Sequence, residues 1–130
     1  MIVDDEAPLL RAMQRVLGKT FEVIPASGVA SAVEALSASV CAVLTDFSMP
    51  DGDGLALTRA LRAKGFKGPI AVLSAVIECD DLQVALKAGE VHELISKPWK
   101  SAELVDRVRA LCDRASPVTA DPAGSERPAA

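Results

Sequence analysis

The chain has 130 residues, enough for one domain with a real core, and half of them are apolar. Its formal net charge is -4, with 18 acidic against 14 basic residues, which argues against a nucleic-acid surface. No apolar run approaches the roughly 20 residues of a membrane span, and acids by residue 4 do not suit a signal peptide, so a cytoplasmic location is expected.

Apolar runs and amphipathic patterns alternate along the chain. The first strand is expected over Met1–Val3 and stops at Asp4-Asp5-Glu6. It is short for a central strand, so either the strand is short or the natural chain starts a few residues earlier. Leu9, Met13, Val16 and Leu17 fall on one helical face, and Gly18 is a plausible stop. A second strand is expected over Phe21–Ala26, followed by a weaker helix marked by Ala32, Val33 and Leu36. The third strand, Val40–Thr45, is a continuous apolar run that leads into Thr45-Asp46-Phe47-Ser48-Met49-Pro50. Asp51-Gly52-Asp53-Gly54 lacks the spacing of a calcium loop and reads as a turn into a third helix, marked by Leu57 and Leu61 and ending near Gly65.

The fourth strand, Pro69–Ser74, is again apolar throughout, as strands buried on both faces are. Leu82, Ala85 and Leu86 mark a fourth helix ending at Gly89. The fifth strand, Glu93–Ser96, leads into Lys97-Pro98-Trp99. Leu104, Val105, Val108, Leu111 and Cys112 form the clearest apolar stripe, with Ser101 as its expected N-cap. Residues 116–130 form a Pro/Ala-rich tail or linker with nothing to bury, expected to be disordered, after an ordered domain over 1–115. Cys41, Cys79 and Cys112 show no CxxC spacing; two buried structural thiols and one loop thiol are expected, with a redox sensor or metal site as the rival.

Regular βα alternation implies a parallel sheet with right-handed crossovers and helices on both faces. Ligands bind at the carboxyl edge of such a sheet. Asp4, Asp5, Asp46, Ser74 and Lys97 all fall at strand ends, so three carboxylates, a hydroxyl and an ammonium would meet there. Such a set can hold a divalent cation and a phosphoryl group. Taken singly, each has an ordinary reading. The first acids could favour a helix N-terminus, Asp46 could be a turn residue, and Lys97 a solvated charge. Their joint occurrence at one edge is what those readings leave unexplained.

With these motifs in this order, the chain resembles the receiver domain of two-component response regulators. The resemblance implies a doubly wound, flavodoxin-like α/β fold: a five-stranded parallel sheet, order 2-1-3-4-5, with five helices. It implies that Asp46 accepts a phosphoryl group from a phosphohistidine, on a histidine kinase or histidine phosphotransfer protein. Mg2+ would be held by Asp4 (through a water), Asp5, Asp46 and the backbone carbonyl of Ser48. Lys97 and Ser74 would contact the phosphoryl group, and the Lys97-Pro98 bond would be cis. Such a protein catalyses only its own phosphorylation and dephosphorylation. It would signal to a downstream protein through the fourth helix, fifth strand and fifth helix, without itself touching nucleic acid or a membrane.

Leu94 stands where the family often has an aromatic switch, Trp99 where Phe is commoner, and Val76 is apolar where the family varies. Two alternatives follow: a phosphorylation-independent interaction module, and a fragment of a larger regulator. A haloacid-dehalogenase-type phosphatase would want a second acid where Ser48 stands.

Overall fold

A computed structural model describes residues 1–115. The expected tail, 116–130, lies outside the described residues. The elements run β1 (Ile2–Val3), α1 (Ala7–Leu17), β2 (Pro25–Ala26), α2 (Val29–Ala35), β3 (Val43–Asp46), α3 (Gly54–Ala63), β4 (Ile70–Ser74), α4 (Asp80–Lys87), β5 (Glu93–Ser96) and α5 (Ser101–Ala115). The strands form one parallel sheet in the order β2-β1-β3-β4-β5. The fold is the expected doubly wound one.

The apolar runs are continuous because successive side chains enter two different cores. Along β4, Ile70 and Val72 join Leu55, Leu57 and Leu61 of α3 and Leu82 of α4. Ala71 and Leu73 point the other way, to Met13 and Leu17 of α1 and Leu104, Val108 and Leu111 of α5. Full burial of one such Leu stabilises the fold by about 1.5–3 kcal/mol. Among the described residues, no helix is long and apolar enough to cross a membrane.

Several expectations shift by a few residues. β2 pairs only over Pro25–Ala26, because its partner β1 has only two residues to offer. The ladder continues weakly, with the Ile2 amide donating to the Ile24 carbonyl and the Asp4 amide to the Ala26 carbonyl. Val40–Ala42, expected in β3, precede the strand and run beyond the end of β1; the Met1 ammonium donates to the Ala42 carbonyl at 2.9 Å. In α1 the inward residues are Leu10, Met13 and Leu17, at i, i+3, i+7, while Leu9 is exposed. Gly18 ends α1 in right-handed geometry, whereas Gly65 and Gly89 follow α3 and α4 at φ of 101° and 79°, the left-handed region glycine favours. Ser101 is the first residue of α5, not its cap: the Lys100 carbonyl accepts the first helical bond, from Leu104. The cysteines are less buried than expected; Cys41 is exposed, and Cys79 and Cys112 are half-buried.

His92 stitches β4 to the turn before β5. Its Nδ1 accepts from the Ile70 amide at 3.2 Å, while its own amide donates to the Ile70 carbonyl. Burial, then the positive charges of Arg62 and Arg114, lower its pKa below the ordinary 6.5. The neutral imidazole is therefore favoured in the folded state, and protons bind the unfolded chain more readily. Stability from His92 is present above about pH 6.5 and is lost as pH falls through the lowered folded value. Thermal melts between about pH 7.5 and 5.5 should show Tm falling with pH, and His92→Gln should flatten that slope.

Candidate functional site

Parallel register sets the strand ends side by side. Val3 lies opposite Thr45, so Asp4 and Asp46 leave the sheet together; Ser74 lies opposite Ser96, which places Lys97 one residue further on. The Lys97 amide also donates to the Ser74 carbonyl at 3.0 Å.

At this edge the Lys97 ammonium lies 2.6 Å from Oδ1 of Asp46. The Lys97-Pro98 peptide is cis, as the resemblance implied. Asp4 and Asp46 are buried, Asp5 is exposed, and one carboxylate oxygen from each lies within 4.8 Å of the others. Burial pushes the Asp4 carboxyl above the ordinary carboxylate value. A hydrogen bond from the Glu6 amide and the Lys97 charge oppose that shift, while Asp46 and Asp5 add to it. Among the three carboxylates, Asp4 is therefore the one whose protonated form is favoured. Three carboxylates form a hard-oxygen cluster, the donor type a small divalent cation such as Mg2+ requires.

Ser74 is buried at the same edge, but its hydroxyl is engaged locally. It donates to the Val76 carbonyl at 3.2 Å and accepts from the Val76 amide at 3.1 Å. Ser48 is exposed in the loop two residues beyond Asp46. Val76 is 61% exposed beside the edge, so an apolar side chain does face the solvent there. Leu94 packs partly buried on the α3/α4 side of the sheet, and Trp99 on the α1/α5 side.

The loop carrying Asp46 is fixed largely by residues of the Asp51-Gly52-Asp53-Gly54 turn, whose separate contacts the sequence does not reveal. Asp53 caps α3, its carboxylate accepting from the Leu55 and Ala56 amides. Gly54 donates to the Phe47 carbonyl at 2.7 Å, and a Cβ there would come within 3.1 Å of the Asp46 carbonyl oxygen. Asp51 reaches across to the start of α2, accepting from Val29 and Ala30, and these two backbone donors hold its pKa below the usual range. A Cβ on Gly28 would lie 2.7 Å from an Asp51 oxygen, so the absence of a side chain there admits the contact. Only the Asp-Gly pair left a signal in the sequence; the Asp51 contact joins positions about twenty residues apart.

Comparison with known proteins bears on the family and the fold. The family described as response regulator receiver domain matches residues 1–109. The transcriptional regulatory protein PrrA of Mycobacterium tuberculosis is 38% identical over 116 residues, covering 88% of this chain and 49% of that protein. PmrA of Pectobacterium parmentieri is 33% identical over 116 residues, covering 88% of this chain and 52% of its own. The chain thus spans about half the length of these curated relatives. Among solved structures, the Francisella response regulator 1452 receiver domain superposes with a TM-score of 0.77 at 23% identity, over 88% of this chain and 96% of its own, a likeness of fold. The match over 109 of 130 residues and the shared fold lead to one conclusion: this chain belongs to the response regulator receiver domain family.

Proposed function

We propose that this protein is a phosphoacceptor of a two-component or phosphorelay system, with Asp46 as the group that reacts. The observation that carries this is the 2.6 Å contact between Lys97 and Asp46, at an edge shared with Asp4 and Asp5. Asp46 Oδ attacks the phosphorus of a phosphohistidine on a histidine kinase or phosphotransfer protein. A P–O bond forms, the P–N bond breaks, and the imidazole leaves with its electron pair and takes up a proton. Lys97 offsets negative charge on the carboxylate and on the incoming phosphoryl oxygens. Asp4, Asp5, Asp46 and the Ser48 carbonyl would hold Mg2+, which when bound neutralises the phosphoryl charge.

Ser74 contributes after transfer. Its hydroxyl leaves the Val76 carbonyl and donates to a phosphoryl oxygen, a bond that exists only in the modified state and so biases a two-state equilibrium. The chain acts catalytically only on its own acyl phosphate. Its output is a protein partner, met through α4, β5 and α5, in the cytoplasm. The relatives' names point to transcriptional regulation, and the acidic charge of this chain assigns any DNA contact to another part of the system.

Incubation with a small phosphodonor such as phosphoramidate and Mg2+ should label Asp46, and Asp46→Asn should reduce labelling to background. Equal labelling of the variant would remove Asp46 from the role and leave a docking module. Asp4→Asn separates stability from metal binding. Because burial disfavours the charged Asp4 carboxylate, its raised folded pKa weakens the fold at neutral pH. The neutral variant should melt about 2–5 °C higher without metal and bind Mg2+ at least about tenfold more weakly. Trp99, the single tryptophan, reports on the α5 side of the sheet. Beryllofluoride should change its fluorescence in the wild type; Ser74→Ala should keep Asp46 labelling and lose most of that change.

A further inference from the structure

The opposite end of the sheet carries a second cluster of reactive groups that the phosphoryl chemistry does not use. Sγ of Cys41, in the segment before β3, lies 3.8 Å from Sγ of Cys112, near the end of α5, across 71 positions of sequence. Both side chains line an apolar cavity of about 530 Å³ bounded by Met1, Phe21, Val40 and Leu111. Cys41 is exposed and Cys112 half-buried. A small oxidant therefore reaches Cys41 from solvent and finds the second sulfur behind it. The third cysteine, Cys79, stands at the start of α4, outside this cavity.

We propose that Cys41 and Cys112 are a disulfide-forming pair, closed by oxidants of the hydroperoxide class. A sulfur–sulfur bond is about 2.0 Å long, so the two atoms must approach by a little under 2 Å. Cys41 sits outside regular structure, where rotation of the side chain and a small backbone adjustment supply that movement. Cys41, as thiolate, attacks one peroxide oxygen; the O–O bond breaks, the second oxygen leaves as hydroxide, and Cys41 becomes a sulfenic acid. The Cys112 sulfur then attacks the Cys41 sulfur, the S–O bond breaks, and the hydroxyl leaves as water with the Cys112 proton. In sum, two thiols lose two electrons and two protons, and hydrogen peroxide becomes two waters.

The environment supports this order of events. Burial, reinforced by Cys41 beside it, pushes the Cys112 thiol up to about 11, so Cys112 stays protonated at neutral pH and suits the second, resolving step. The bond would tie the end of α5 to the segment leading into β3, far from Asp46 along the sheet. It does not depend on the phosphoacceptor reading.

The test is native full-length protein treated with a slight molar excess of hydrogen peroxide near pH 7.5, quenched with iodoacetamide and mapped with trypsin under non-reducing conditions. The expected result is peptide 20–59 joined to peptide 110–114, with one alkylated thiol at Cys79 and an intact mass lower by two hydrogens than the doubly reduced form. Tm of the oxidised protein should rise by at least about 5 °C and return on reduction. Cys79→Ser should keep the cross-link, and Cys41→Ser and Cys112→Ser should each lose it. The proposal is overturned if three alkylated thiols survive while a simple dithiol oxidises in parallel. It is equally overturned if the bond involves Cys79, joins two chains, or forms only after unfolding in urea.

Discussion

The ion pair between Lys97 and Asp46 is the contact on which the carboxyl edge depends. Asp4 and Asp46 are both buried and present oxygens within 4.8 Å of each other. Two unit charges at that distance repel by about 3 kcal/mol at an effective dielectric of about 20. The ammonium at 2.6 Å from Asp46 offsets that repulsion. Burial and the residual repulsion still raise the Asp4 carboxyl, so the edge retains an appetite for positive charge. That unsatisfied demand matches a cluster that could hold a metal ion.

Lys97 reaches Asp46 only because the sheet is assembled. β5 meets β4 through four registered pairs, and the Lys97 amide bonds the Ser74 carbonyl just beyond them. β4 in turn aligns with β3 from Ile70 and Val43 up to Leu73 and Asp46. Burial on both faces forbids a register slip, since one residue of shift would exchange the two cores. Packing energy thus becomes positional precision at the edge. The Asp46 loop is then held by the Gly54 amide and by Asp51, which accepts from the first amides of α2, so the Asp46 carboxylate sits on rigid supports.

How much of this could be read from the sequence follows the range of the interactions. β4, β5 and α5 were legible because their signals are local: apolar runs that end in polar residues, and a stripe at helical spacing. The strand-end residues Asp4, Asp5, Asp46, Ser74 and Lys97 were legible for the same reason, and the register brings them to one edge. The limits of β2 and β3 were not, because a strand lasts only as long as its neighbour, and β1 is short. Leu9 was assigned inward by a spacing that Leu10 satisfies better, a phase error of one residue. Asp51 and the Cys41–Cys112 approach were invisible, since each joins distant positions through backbone geometry that no local pattern encodes.

The short β1 ties the two ends of the sheet together. Its two residues, Ile2 and Val3, are at most 4% exposed, one in each core. Directly before them the Met1 ammonium is drawn toward the cavity that Cys41 and Cys112 line, and burial there lowers its pKa. Directly after them come Asp4 and Asp5, the acids of the carboxyl edge. A longer central strand would spread positional control over several ladder bonds. Here it rests on two registered pairs with each neighbour, extended by the bonds Ile2 to Ile24, Asp4 to Ala26 and Leu44 to Met1. Distortion at the cavity end therefore has only two residues in which to be absorbed before it reaches the carboxylates. The packing of Ile2 and Val3 is consequently as much a determinant of the edge's geometry as the charged groups that act there.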